Sequence, residues 1–189
     1  AIVASDAEAS DREVQQPWAL SFDGVDDRVD LPATVTLGDG ESFVFNFQAD
    51  NTASADIDLA RGGTPRLLIK QGFASVLRYF NGSTYTWTAP ADAFDGNWHE
   101  LIITRTGGNY EAFWDGVSKG IITPASMILS SIGWTNYKGK FSKCILGAQY
   151  NLNESGGTIA YNSAGDFNHG TLVNGAAWVV DATASSRCC

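Results

Sequence analysis

The stretch DGNWHELIITRTGGNYEAFWDG, residues 95–116, decides the fold. It opens on a turn triplet, runs through an alternating segment, reverses at Gly107-Gly108, alternates again and closes on Asp115-Gly116. His99, Leu101 and Ile103 fall on one side of an extended chain, with Glu100 and Thr104 on the other. Tyr110, Ala112 and Trp114 repeat the period of two on the returning segment. Asp-Gly and Gly-Gly supply the positive φ that tight hairpin turns need. The unit reads as an antiparallel hairpin with one apolar face. Trp98, at the start of its first strand, is expected to close the end of a core.

The same pattern extends through the chain. Phe43, Phe45 and Phe47 share one face of a segment whose other face carries Ser42, Asn46 and Gln48. Further turns stand at Asp23-Gly24, Gly62-Gly63, Asn81-Gly82 and Asp95-Gly96. Between them the pattern predicts strands over 19–22, 28–31, 42–48, 57–61, 66–71, 76–80, 84–88, 99–104, 110–114, 120–123, 141–147 and 177–180. One short turn of helix is expected within 126–132. Strands do not alternate with helices, which excludes a parallel α/β sheet. The expected class is all-β, an antiparallel two-sheet jelly-roll sandwich. Residues 1–17 form a polar N-terminal arm, 18–181 a single jelly-roll domain and 182–189 a C-terminal tail.

Twenty-one acidic against 12 basic side chains give a net charge of -9. That balance repels phosphate backbones and anionic lipid, so neither nucleic acid nor membrane insertion is expected. No apolar run approaches the ~18 residues of a membrane span. The three cysteines contain no CxxC pair, so zinc has no support. Cys144 could be bonded to Cys188 or Cys189, or all three could be free thiols.

Three segments carry a resemblance. LSFDGVDDRVDLP (20–32), DGNWHELIITR (95–105) and YEAFWDG (110–116) are similar to the opening strands, central Trp-His strand and following hairpin of laminin-G-like and concanavalin A-like lectin-glucanase domains. These are of the type found in phage and bacterial surface proteins. The resemblance covers roughly 18–147 and implies the fold; lectins, adhesins, enzymes and scaffolds all use it. DFNHGTLVNGAAW (166–178) resembles a segment that usually precedes the opening strand in such proteins. Here it follows, as in a permuted domain, which close-set termini permit. The strand over 177–180 is therefore expected beside that over 19–22, within one subunit or by exchange.

Glucanases of this fold carry ExDxE on one strand, and that motif is absent. Asp56-Ile57-Asp58 offers two carboxylates and reads as surface. Gly116–Gly120 matches GxSxG by chance, since it lies among strands rather than before a helix. His99 reads as a satisfied core histidine and His169 as a turn residue. No catalytic residue is expected. Calcium is the one cofactor considered, with Asp23, Asp26 and Asp27 as candidate ligands, though this turn is chiefly a mark of the fold. Tyr85 with Trp87, and Trp134 with Asn136 and Tyr137, form two aromatic sets suited to sugar shelves, to packing or to an interface.

Three functional expectations follow, in order. The first is a non-enzymatic structural or decoration component of a virion (phage capsid or tail) or surface assembly. It would be a homo-oligomer touching other subunits through Gln15, Gln16 and Trp178, and located on a virion surface or outside a cell. The alternative is a carbohydrate-binding adhesion module for cell-surface glycans, and a glycoside hydrolase stands third.

Overall fold

A computed structural model describes residues 18–49, 57–70, 76–88, 90, 92–133, 137–146, 149–150, 152, 156–161 and 169–181. Among these, every regular element is a strand. In chain order they are β1 (Trp18–Asp23), β2 (Arg28–Thr36), β3 (Ser42–Ala49), β4 (Ile57–Arg61), β5 (Arg66–Lys70), β6 (Val76–Phe80), β7 (Thr84–Trp87) and β8 (Trp98–Thr106). There follow β9 (Asn109–Trp114), β10 (Val117–Ile122), β11 (Ile128–Ile132), β12 (Lys138–Leu146), β13 (Gln149–Tyr150), β14 (Ile159–Ala160), β15 (Gly170–Val173) and β16 (Ala177–Val180).

The strands build two antiparallel sheets. The first runs β10-β9-β8-β3-β12-β1-β16, with β13 added to β12; the second runs β14-β15-β2-β11-β4-β5-β6-β7. Alternation decides which side chains lie between them. Phe43, Phe45 and Phe47 stand opposite Ile103, Leu101 and His99, and Leu101 and Ile103 stand opposite Trp114 and Ala112. All are buried, facing Leu67, Ile69, Leu77, Tyr79 and Trp87 of the second sheet in one core. Aromatic rings fill its middle: Phe22 lies edge-on to Tyr137 and to Phe141, each at 5.4 Å, and Phe47 edge-on to Trp114 at 5.5 Å. The sheets also meet along one side, where the Thr88 N–H donates to the Lys119 carbonyl at 2.9 Å.

Gly24 to Asp27 carry the chain from the first sheet to the second. Gly24 has φ 84°, and a Cβ there would lie 2.9 Å from Lys138 Cβ, so this corner needs glycine on both counts. The tail completes both sheets beside the same corner. β16 pairs with β1 from Trp18↔Val180 to Ser21↔Ala177, and β15 pairs with β2. The expected adjacency of these strands therefore holds within one chain.

Two expectations change. The predicted helical turn is strand β11, wedged between β2 and β4, with Leu129 and Ile132 buried. A register shift between Leu129 and Ser131 blurs its alternation, which hid the strand. Trp98 does not close the core. His99 takes the inward side, so the next residue back points outward, and Trp98 is half-buried on the outer face. Cys144 stands opposite Phe45 in β12; Cys188 and Cys189, and with them any disulfide, lie outside the described residues. So do the arm with Gln15 and Gln16, and the tail from 182.

Candidate functional site

Of the aromatic sets named from sequence, the described members Tyr85, Trp87 and Tyr137 serve the core. In β7 the threonines Thr84 and Thr86 take the exposed side, which sends Tyr85 and Trp87 inward. Trp87 is buried and its indole N–H donates to the Tyr110 carbonyl at 3.1 Å. Tyr85 is half-buried against the core, 6.5 Å from Tyr79. Tyr137 is wholly buried, its hydroxyl shared between the Gln48 and Lys140 carbonyls at 3.1 and 2.9 Å. Neither Trp87 nor Tyr137 presents a ring face to solvent. Trp134 and Asn136 lie outside the described residues. Trp178 is also used within the chain: it packs on the core, and its indole N–H donates to the Gly157 carbonyl at 3.0 Å.

Two rings that face outward, Trp98 and Phe113, stand on the first sheet. Trp98 pairs with Gln48, Gln48 with Lys140, and Lys140 with Ser21, making one row across four strands. Asn46 and Glu100 pair in the next row, and Val44, Ile102, Phe113 and Ser118 form the row after. All but Ser118, which is exposed, are half-buried. The Gln48 amide is anchored, its Nε2 donating to the Gly96 carbonyl at 2.5 Å, while its buried Oε1 accepts no hydrogen bond. The face thus combines two rings with amide, carboxylate and ammonium groups. Sequence reasoning missed it by assigning Trp98 to the core, although the alternation from His99 already placed it outside.

His99 behaves as the sequence suggests. Its Nδ1 lies 2.7 Å from Asp115 Oδ2 and its Nε2 3.0 Å from Asp95 Oδ1, with the ring tilted against Trp114 at 4.8 Å. Burial alone would lower its pKa, but the two carboxylates outweigh it and the net shift is upward. With Asp92 and Asp115 it forms the one group of three or more His, Cys, Asp or Glu ligand atoms, among the described residues, lying within 4.8 Å of each other. Both ring nitrogens of His99 already face carboxylates, Asp115 at Nδ1 and Asp95 at Nε2.

The expected calcium ligands are not gathered in this way. Asp23 Oδ1 accepts from Val25 N at 2.7 Å, and Asp27 Oδ2 accepts from Asp23 N at 2.8 Å, so each carboxylate ties its own turn. Asp23 and Asp26 are exposed, whereas Asp27 is buried with Oδ1 unpartnered. Burial raises the Asp27 pKa, and the charges of Asp23 and Asp26 add to the rise.

The outer face of the second sheet has a different chemistry. Arg61 stands directly opposite Arg66, Arg66 opposite Phe80, and Phe80 opposite Thr84. In the neighbouring row Asp58, Leu68, Arg78 and Thr86 face one another in turn. Asp58 is buried rather than on the surface as expected; its Oδ2 accepts from Arg61 Nε at 2.5 Å and lies 3.9 Å from Arg66 Nη1. The Arg66 guanidinium lies 5.6 Å from the centre of the Phe80 ring. Arg78 Nε and Ser131 Oγ are buried without a hydrogen-bond partner. The signal for this face was present in RLLIK and VLRYF, where arginines occupy the positions alternating with inward Leu, Ile and Tyr.

Of the catalytic patterns set aside, Asp56 lies outside the described residues. Ser118 of the GxSxG match stands on β10, its hydroxyl donating to Glu111 Oε1 at 2.5 Å.

No family model matches the chain, and no curated protein matches it. Among solved structures it is similar to a "putative carbohydrate binding protein" from Bacteroides ovatus, with TM-score 0.63 and 15% identity over 88% of this chain. The chain spans 60% of that protein's length. A carbohydrate binding module, CBM66, from Bacillus subtilis aligns more distantly, with TM-score 0.39 and 9% identity over 68% of this chain and 92% of that one. The first likeness is one of fold: two antiparallel sheets packed as an all-β sandwich.

Proposed function

We propose that this chain is a non-catalytic carbohydrate-binding module of the laminin-G and concanavalin A-like type, working outside a cell. The observation that carries the reading is the outer face of the first sheet. There Trp98 and Phe113 are set in register with Gln48, Asn46 and Glu100 on rigid, hydrogen-bonded strands. Sugars present apolar C–H faces that rings cover and hydroxyls that planar amides and carboxylates orient. Strands hold such groups more firmly than loops do. The fold likeness to a protein described as carbohydrate-binding favours this reading over virion decoration.

A glycan array tests it, run with and without calcium. The expected result is binding to a defined set of glycans that falls at least tenfold in Trp98→Ala and Phe113→Ala and is unaffected by chelation. Absence of binding to any glycan, or undiminished binding in both variants, would overturn the assignment to this face.

A further inference from the structure

We propose that the outer face of the first sheet recognises a glycan of N-acetylated amino sugars, with Asn46 and Glu100 holding the acetamido group and Val44 and Ile102 its methyl. This ligand class deepens the carbohydrate-binding reading of the same face and rests on it.

Two cross-strand pairs stand side by side on β3 and β8. Asn46 is opposite Glu100, and Val44 is opposite Ile102. All four point outward, and each is half-buried rather than covered. Successive outward positions on a strand lie about 7 Å apart, so the polar pair and the aliphatic pair form one small patch. Neither the Glu100 carboxylate nor the Asn46 side-chain amide has a hydrogen-bond or ion-pair partner among the described residues. The Glu100 backbone, by contrast, is held by Asp115, whose Oδ1 accepts from Glu100 N at 2.8 Å and whose N–H donates to Glu100 O at 2.9 Å. The strand is fixed there while the carboxylate is open to a ligand.

An acetamido group divides naturally among these side chains. A carboxylate only accepts, so Glu100 takes the acetamide N–H; the Asn46 amide donates to the acetamide carbonyl. The N–H and C=O of a planar trans amide point in opposite directions, so the group fits between two facing side chains. Its methyl then lies along the strands, toward Val44 and Ile102. A hydroxyl can meet the same two polar groups, but the next row decides. Val44, Ile102 and Phe113 make an apolar stripe across three strands, and Ile121, diagonal to Phe113 on β10, is 58% exposed. A plain hexose lays hydroxyls on that stripe, where they lose water and gain no partner. An acetyl methyl is stabilised by the same contact, and the Phe113 ring covers the C–H face of the sugar that carries it.

The test is calorimetric titration of the full chain with tetrasaccharides of N-acetylglucosamine and of N-acetylgalactosamine, with the de-N-acetylated form of each, and with cellotetraose. The expected result is binding of at least one acetylated tetrasaccharide, at least tenfold tighter than its de-N-acetylated form and than cellotetraose. Glu100→Ala should lose about tenfold or more and Asn46→Ala about fivefold for that ligand, at unchanged circular dichroism. Ile102→Thr should weaken the acetylated ligand and leave cellotetraose as it was. If a variant does not fold, the comparison of ligands on the unaltered chain still decides. Equal binding of acetylated and plain tetrasaccharides would overturn the proposal and leave the carbohydrate-binding reading standing. Tighter binding of a de-N-acetylated form would do the same, because Glu100 would then be holding an ammonium group. Undiminished binding in a folded Glu100→Ala variant would also overturn it, as would failure of both acetylated tetrasaccharides where another glycan binds on the array. Binding of no glycan at all would remove both.

Discussion

At the scale of single residues, the strongest local device is His99. It ties the loop before β8 to the turn after β9, through Asp95 on one side and Asp115 on the other. Asp115 is held at φ 47°, unusual for a residue other than glycine. The turn tolerates this because Asp115 Oδ1 accepts from Glu100 N at 2.8 Å while Oδ2 faces the histidine. The upward shift of the His99 pKa links the clamp to pH. Its stabilisation is complete below the ordinary histidine value of 6.5 and is lost as pH rises through the folded-state value. His99→Gln should cost about 1.5–3 kcal/mol at pH 6, the range for hydrogen bonds to charged groups. The gap in melting temperature between the two proteins should narrow steadily from pH 6 to pH 9; a constant gap would mean that His99 does not carry the charge.

Residue identity alone misled at Asp58. Asp58 reads as surface in a string of letters, yet it is buried because Arg61 folds back onto it three residues later. For Tyr137 the letters leave sugar platform, packing and interface open, and it packs, filling the space between Phe22, Phe47 and Phe141. A ring's face is decided by its neighbours' alternation, and for Tyr137, just before β12, no alternating run was available to read.

At the scale of elements, period-two alternation carried most of what could be known. β3, β8 and β9 follow it without interruption, and their inward residues are those expected. Where a bulge intervenes the rule fails, as in β4 and β11, each with one register shift. Short strands of two to four residues such as β13, β14 and β15 carry too few letters to show a period. Close approach matters too. A Cβ on Gly139 would lie 2.1 Å from the Gln48 carbonyl oxygen, in the strand joining β3 to β1. Gly139→Ala is therefore expected to destabilise by about 1–3 kcal/mol, the usual cost of forced overpacking, read as a lower denaturation midpoint in urea. An unchanged midpoint would show that β12 can shift away from β3 without cost.

At the scale of the whole molecule, the segment 170–180 closes the design by covering β1 with β16 and β2 with β15. Those two strands would otherwise be sheet edges, which are prone to adding foreign strands. The outcome is a sandwich whose inner faces are consumed by packing and whose two outer faces differ: rings with amides on one, arginines with a ring and hydroxyls on the other. Which outer face meets a ligand could not be read from sequence, because that depends on which strands lie side by side. β3 and β8 are neighbours though 48 residues separate Gln48 from Gly96, which its amide holds.

The central claim is that a glycan lies across a sheet face and leaves unbroken. Nuclear magnetic resonance titration of the full chain with its tightest array glycan tests this directly, with the supernatant assayed for released sugar. Perturbations should map to outward strand residues of the first sheet, Trp98, Gln48 and Phe113, with no sugar released. Perturbations confined to the loops between strands, or a rise in reducing ends, would contradict it.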